Sequence, residues 1–299
     1  MKYVVTGGAG FIGSHIVKFL VGEKHTVIVI DNLQVGTKKR LESIKEKIEF
    51  HQTDILNFDE VEQIVQGADG VFHRAALTSL PESFEKPEEY HNVNVKGTEN
   101  VFKLAKEFGK KVVYASSSSI YGNTTIIPIQ ENFEKNPINP YGITKLDDEK
   151  LAEKYHDSGV SIIGLRYFNV YGIGQTNDYA GVITKFIDQI NLNKFPIIFG
   201  DGTHTRDFIS VEDVAKANLL SMESNTDFSF LNIGTGISTS IKTLAEVMID
   251  LSGKTLEISY DDLPLGDVKE SLADVSLAKK LIGWNYNTSL KDGLKKFFF

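Results

Sequence analysis

Tyr141 and Lys145 stand four residues apart in the stretch Tyr141-Gly-Ile-Thr-Lys145, a spacing that puts a phenol and an ammonium on one face of a helix. A neighbouring cation favours the phenolate, and a phenolate can take a proton from a sugar or alcohol hydroxyl. In a chain that opens with a glycine-rich loop, the pair reads as hydride-transfer chemistry. The bare spacing is also what a packed ring beside a solvated lysine stem looks like, so its meaning depends on the surrounding chain.

The loop is Val4-Val5-Thr6-Gly7-Gly8-Ala9-Gly10-Phe11-Ile12-Gly13, which follows a strand and leads into a helix. Gly7, Gly10 and Gly13 permit a tight turn, close approach of backbone to a pyrophosphate, and close helix–strand packing, while the helix N-terminus offers unpaired N–H groups to the anion. Asp31 ends the second strand, beside Asn32. Its carboxylate is placed to accept from the adenosine ribose and to repel a 2′-phosphate, which favours NAD over NADP. Asp54-Ile55, at the end of the third strand, either contacts the adenine or forms a plain turn.

The elements that must carry these residues show a regular alternation. Lys2 to Thr6, Thr26 to Ile30, Ile48 to His51, Gly70 to His73, Lys111 to Ala115 and Val160 to Leu165 have the β-branched, apolar character of strands. Amphipathic stretches such as Gly13 to Gly22 and Gly97 to Phe108 lie between them. This predicts an α/β fold, a parallel sheet with helices on both faces. After Arg166 the rhythm loosens into turn-rich stretches, an apolar run at Phe195 to Phe199, a strand at Phe230 to Ile233 and a helix at Ile241 to Leu251. The expected division is a cofactor-binding unit over residues 1–167, rejoined by 211–235, and a smaller mixed α/β substrate unit over 168–210 and 236–299. A cleft between them is the default binding site.

Composition removes several classes of function. The 299 residues are 41% hydrophobic and 24% charged, as expected of a globular protein rather than a disordered one. The net charge of -8 leaves no basic face for nucleic acid, since Lys38-Lys39-Arg40 and Lys110-Lys111 are short clusters set among acids. Cys 0 excludes disulfides and cysteine nucleophiles, and no metal site is expected. No apolar run has the length of a membrane span, and Met1-Lys2 leads directly into the first strand without room for a signal peptide. A cytoplasmic location is the expectation.

Several motifs converge. Thr6 to Gly13, His73-Arg-Ala-Ala76, Asn94-Val-Lys-Gly-Thr98, Ser116 to Gly122, Tyr141 to Lys145 and Arg166-Tyr-Phe-Asn-Val-Tyr-Gly172 resemble, in order and spacing, the extended short-chain dehydrogenase/reductases. Gly200-Asp-Gly202, Thr205-Arg-Asp-Phe-Ile209, Val211 to Val214 and Asn232-Ile-Gly-Thr-Gly236 look like the nucleotide-sugar branch, and most like its UDP-glucose 4-epimerases. The resemblance implies a Rossmann-type doubly wound sheet, bound NAD, and a 4-epimerisation that passes through a 4-keto sugar. It implies that Tyr141 is the acid/base, that Lys145 lowers its pKa and holds the nicotinamide ribose, and that Ser117 binds the sugar's 4-oxygen. Phe11, Ile12, Ala75, Ala76, Asn94 and Phe168 match cofactor-site positions, with Asn94 supporting the helix geometry. Asn169 and Arg206 match the diphosphate site, where arginine's rigid fork suits phosphate oxygens. A homodimer paired through a four-helix bundle is implied as well.

The stretch after Ser117 separates the reactions. Related dehydratases and decarboxylases carry acids where this chain has Ser118 and Ser119, and a serine hydroxyl is a poor general acid near neutral pH. Simple epimerisation needs only the tyrosine and NAD. Ser118 either faces substrate or is a satisfied strand-end hydroxyl. A second phosphate-binding arginine, common in the family two residues before the Gly-Asp matched by Gly266-Asp267, is replaced by Pro264. Ser271 matches a gatekeeper position and, being small, implies room for N-acetylhexosamines. His73 reads as structural and His204 as a turn residue. The other readings are a UDP-glucuronate 4-epimerase, another nucleotide-sugar oxidoreductase, and a catalytically silent NAD-binding regulator.

Overall fold

The computed structural model describes residues 1–175, 181–262 and 269–299. Its centre is a seven-stranded sheet, parallel throughout. β1 (Lys2–Thr6), β2 (Thr26–Ile30), β3 (Ile48–His51), β4 (Gly70–His73), β5 (Lys111–Ser117) and β6 (Ile162–Tyr167) come from the first part of the chain, and Phe228–Ile233 returns to the edge beside β6. The strand order is 228–233, β6, β5, β4, β1, β2, β3, the Rossmann arrangement. Winding reverses between β1 and β4, and the crevice beyond the carboxyl ends of those strands is where such sheets bind ligands.

The strands are runs of Val, Ile and aromatic residues because both faces are covered. On one face α1 (Phe11–Gly22) packs with the helix Val211–Glu223, and Ile16, Val17 and Leu20 sit fully buried against Val5, Val27 and Val29. The other face carries α2 (Phe58–Val65), α5 (Gly97–Phe108) and α6 (Pro140–His156), with Val101, Phe102 and Ala152 against Val4, Val71 and Val112. Two short helices, α3 (Leu80–Glu85) and α4 (Pro87–Tyr90), lie between β4 and α5. A third cluster, centred on Phe186, Ile198, Phe208, Leu244 and Met248, lies outside the sheet. It is built from the helices Val182–Asn191 and Ile241–Ser252 and three short strands, Asn169–Tyr171, Ile197–Phe199 and Phe208–Ser210.

The strands fall where the sequence pattern puts them, with small shifts in bounds. β6 begins at Ile162 rather than Val160, because the Val160 N–H closes the turn after α6 by donating to the Tyr155 carbonyl at 3.1 Å. β5 runs on to Ser117 because its pairing with β6 continues through Ser117↔Tyr167. Among the described residues no helix is long and apolar enough to cross a membrane, and no group of three or more His, Asp or Glu is placed to hold a metal ion.

Candidate active site

The glycine loop follows β1 and turns into α1 at the switch point. Gly7 has φ +63, and a Cβ there would lie 2.6 Å from the Ala75 nitrogen, so only glycine lets the loop press against the end of β4. At Gly13 a Cβ would fall 2.1 Å from the Gly7 carbonyl oxygen. α1 starts at Gly10 without a side-chain cap and with no acid in its first turn, so its N-terminal N–H groups stay available to an anion.

Asp31 is buried at the end of β2, where Oδ2 accepts from the Ala9 N–H at 2.9 Å and Oδ1 from the Leu33 N–H at 2.8 Å. Burial pushes its carboxyl above the usual range, while those N–H groups and the Arg40 guanidinium pull it back. A pocket of about 80 Å³ between the loop and the strand ends is lined by Gly7, Gly10, Asp31, Asn32, Asp54, Ile55, Ala75 and Ala76. These residues fit NAD: a glycine cradle that side chains would fill, a bare helix N-terminus for the pyrophosphate, and a carboxylate for the ribose. Thr53, Leu77 and Val93 share this wall and were not legible, since nothing in their type or spacing marks them.

α6 begins where Asn139 accepts from the Gly142 N–H at 2.7 Å and Pro140 occupies the first turn, a strong start signal. Tyr141 is half-buried in that first turn and Lys145 is buried one turn on. The Lys145 ammonium pairs with Asp148 Oδ2 at 3.0 Å. Ser117, at the end of β5, is buried and donates to Ser119 Oγ at 3.0 Å while accepting the Ser119 N–H at 3.1 Å. Ser118 is half-buried in the short turn that follows.

Asn94 sits in a π-helical segment, His91–Lys96, with its side chain fully buried. Its Oδ1 accepts from Leu77 N–H at 2.8 Å, and Nδ2 donates to the Leu77 carbonyl and to Thr144 Oγ1, each at 3.0 Å. Asn94 thus ties the loop after β4 to the helix of Tyr141 and Lys145. His73 completes the lattice beneath. Thr98 spends its hydroxyl proton on the Asn94 carbonyl, so His73 Nε2 is the donor to Thr98 and Nδ1 accepts from Thr6. Burial and the nearby Lys145 and Arg74 charges hold the His73 imidazole well below its usual pKa, and therefore neutral.

A second ion pair roots α6 in the sheet. Arg166 meets Glu149 through two bonds of 2.8 Å, and Ser116 also donates to Glu149. Burial works against the Arg166 charge, and the Glu149 bonds more than restore it. Tyr121, which accepts from Arg166 and donates to Asn232, is pushed up to about 12 by burial.

The second pocket is a cavity of about 1140 Å³. Asn169, Arg206 and His204 line it, with Asn139, Lys185 and the apolar Leu80, Phe84, Ile138 and Phe199. Asn169 Nδ2 donates to the Asp207 carbonyl at 3.1 Å. The Asp207 carboxylate, fully buried, accepts from Thr235 N–H and Oγ1, Gly236 N–H and Ala273 N–H. That knot holds the Arg206 strand against the Gly234–Gly236 turn, a role the sequence did not reveal because its partners lie 28 or more residues away. Ser271 pairs beside Arg206 across a two-stranded contact, half-buried. Phe168 is buried among Ile120, Tyr121, Ile129 and Ala273. Pro264, Gly266 and Asp267 lie outside the described residues.

α6 is tied to both pockets by its first turns. Asn139 lines the large cavity, and Thr144 is tied through Asn94 to Leu77 in the wall of the smaller one. Tyr141 lies on the intervening turn.

Comparison with known proteins agrees with this geometry. The model of the "NAD dependent epimerase/dehydratase family" matches residues 3–234. The chain is 38% identical to a UDP-glucuronate 4-epimerase of Thermodesulfobacterium geofontis, over 98% of this chain and 94% of that one. A UDP-N-acetylglucosamine 4-epimerase from Methanobrevibacter ruminantium, solved with UDP-N-acetylmuramic acid, superposes with a TM-score of 0.95 at 36% identity, covering 99% of this chain and 96% of the other. A UDP-glucose 4-epimerase from Thermotoga maritima, solved with UDP-glucose, gives 0.93 at 35% identity with coverage of 99% and 96%.

Proposed function

Because the chain belongs to the NAD-dependent epimerase/dehydratase family, we propose that it is a UDP-hexose 4-epimerase that interconverts UDP-glucose and UDP-galactose. The observation that carries this is the placement of α6: it starts in the wall of the large cavity and is clamped to the wall of the cofactor pocket. That placement supports reading Tyr141 and Lys145 as the groups that work between nucleotide sugar and cofactor.

The residues take the following parts. Arg206 and Asn169 hold the diphosphate, and Ser117 holds the 4-oxygen. Tyr141 removes the C4 hydroxyl proton as the carbon is oxidised, aided by the Lys145 ammonium one turn away. NAD, when bound along Gly7 to Gly13 and Asp31, supplies the nicotinamide that accepts hydride from C4 and gives it back. The 4-keto sugar turns over within the cavity, so that the hydride would return to the opposite face of C4, and Tyr141 gives the proton back to the 4-oxygen. No group besides Tyr141 is needed to move a proton, in keeping with Ser118 and Ser119 where acids would support elimination.

Ser271, small at the position the resemblance makes a gatekeeper, supports acceptance of N-acetylhexosamines as well. Lys185 on the cavity wall favours a second reading, a uronic-acid epimerase, because its ammonium could pair with a sugar carboxylate. We further read residues 1–167 with 211–235 as the NAD-binding domain and 168–210 with 236–299 as the sugar-nucleotide domain. The enzyme is read as a cytoplasmic homodimer of galactose metabolism, paired through α5 and α6, with Ile143 exposed on the latter.

Purified protein mixed with UDP-galactose, and no added reductant, should form UDP-glucose. Parallel incubations with UDP-N-acetylgalactosamine and UDP-glucuronate rank the sugars. Turnover of the uronate alone would replace the leading reading with the second, and no turnover of any would remove both.

A further inference from the structure

Asp148 has no part in the chemistry above, yet it is the acid nearest the working lysine. It lies three residues beyond Lys145 on α6, its side chain wholly buried, with Oδ2 3.0 Å from the ammonium. Its other oxygen, Oδ1, has no hydrogen-bond partner among the described residues. The next residue, Glu149, shows what a structural acid looks like here, with both oxygens bonded to Arg166 and a further bond from Ser116. A buried carboxylate with one bare oxygen is costly to keep. Its position against Lys145 suggests what it is for.

We propose that Asp148 is a positioning residue for the epimerase reaction: it anchors the Lys145 ammonium from inside the helix and offsets part of the positive charge that reaches Tyr141. The ammonium's influence on the phenol then depends on whether Asp148 carries its negative charge. With Asp148 ionised, Tyr141 faces a cation already paired; with Asp148 neutral, it faces a full cation. An unpaired cation lowers a phenol's proton affinity further than a paired one.

The groups facing Asp148 agree with a carboxyl that changes charge within a working pH range. Lys145 and Asp147 face it from α6, the Thr98 hydroxyl from α5, and Tyr114 from β5. Burial raises it, and the Lys145 ammonium draws it back, to about 6.

The proposal rests on Tyr141 being the proton shuttle and Lys145 its partner, and the two can fail separately. The test is the pH profile of kcat/KM for Asp148→Asn, as NAD-loaded enzyme, against wild type. The near-isosteric amide removes the charge, so the acidic limb should move down by about half a pH unit or more. A limb that stays in place in folded, NAD-loaded, active Asp148→Asn overturns the positioning role, even if the melting temperature falls. An active Tyr141→Phe instead overturns the underlying assignment. If Asp148→Asn does not fold, carboxyl NMR of aspartate-labelled wild type and Lys145→Met decides. One aspartate midpoint should rise when the ammonium is removed, and no change in any midpoint overturns the proposal.

Discussion

The two pockets are built on opposite plans. At the cofactor end, about 80 Å³ of space is enclosed by one loop, three strand ends and an acid, all drawn from residues 7–93. At the large cavity, proposed above for the sugar nucleotide, about 1140 Å³ is walled by segments between Leu80 and Ile241, more apolar than polar, with Asn169 and Arg206 among the polar groups. The first end reads the constant part of its ligand, a dinucleotide, through backbone. The second, in the reading proposed above, holds the sugar, and the sugars named with relatives differ: glucuronate, N-acetylmuramate and glucose. The backbone cradle leaves no room for added side-chain atoms, whereas the larger cavity does.

That contrast can be broken by substitution, and Gly13→Ala should show the largest effect. Its Cβ would sit 2.1 Å from the Gly7 carbonyl oxygen, so the loop must open, and co-purified NAD, read by absorbance after denaturation, should vanish together with activity. Full NAD content in that variant would show that the cradle is less rigid than described.

Tyr141→Phe, on the turn between the two ends, should lower kcat by about 10² to 10⁴ while leaving NAD in place. Arg206→Ala tests the far end alone. Losing one arginine–phosphate contact of about 1.5 to 3 kcal/mol should raise KM for the UDP-sugar roughly tenfold to a hundredfold, with kcat and NAD content nearly unchanged. A fall in NAD content in the Arg206 variant would mean that the two ends are not independent.

The smallest effect concerns the lattice under the cofactor end. His73 is neutral and its pKa is depressed in the folded state, whereas the unfolded chain takes up a proton below the ordinary value of 6.5. Stability should therefore fall as pH drops below that value, by at most about 1.4 kcal/mol per pH unit from this group. Urea unfolding at about pH 6.5 and one unit lower, for wild type and His73→Gln, isolates it. The wild type should lose about 1 kcal/mol more than the variant over that step. The raised carboxyls Asp31, Asp148 and Asp207 act in the opposite sense, but equally in both proteins.

Legibility in the sequence followed the same division. The strand, glycine loop, helix, strand and Asp31 are consecutive, so local pattern suffices to place them, and the sheet bounds shift by only a few residues. The start of α6 at Asn139-Pro140 is set just as locally, by the Asn139 cap and Pro140 in the first turn, and marks a signal the sequence reading did not use. The clamp from Asn94 to Leu77 and Thr144 was not, because it depends on a π-helical segment and on residues 17 and 50 positions away. The Asp207 knot joins backbone from Gly236 and Ala273, and no spacing rule links those positions. Asp148 looked like any charge in Lys145-Leu-Asp-Asp-Glu-Lys150 until burial singled it out.

By itself the sequence determined the parallel sheet, the cofactor cradle and the Tyr141–Lys145 pair, because each is set by neighbours along the chain: alternation of strand and helix, glycines at a turn, and one helical turn of spacing. Tertiary structure alone decided the large cavity, the network that orients α6, and the pairing of Lys145 with a half-satisfied Asp148. Those depend on which distant side chains lose water together, and burial of that kind is a property of packing rather than of order along the chain.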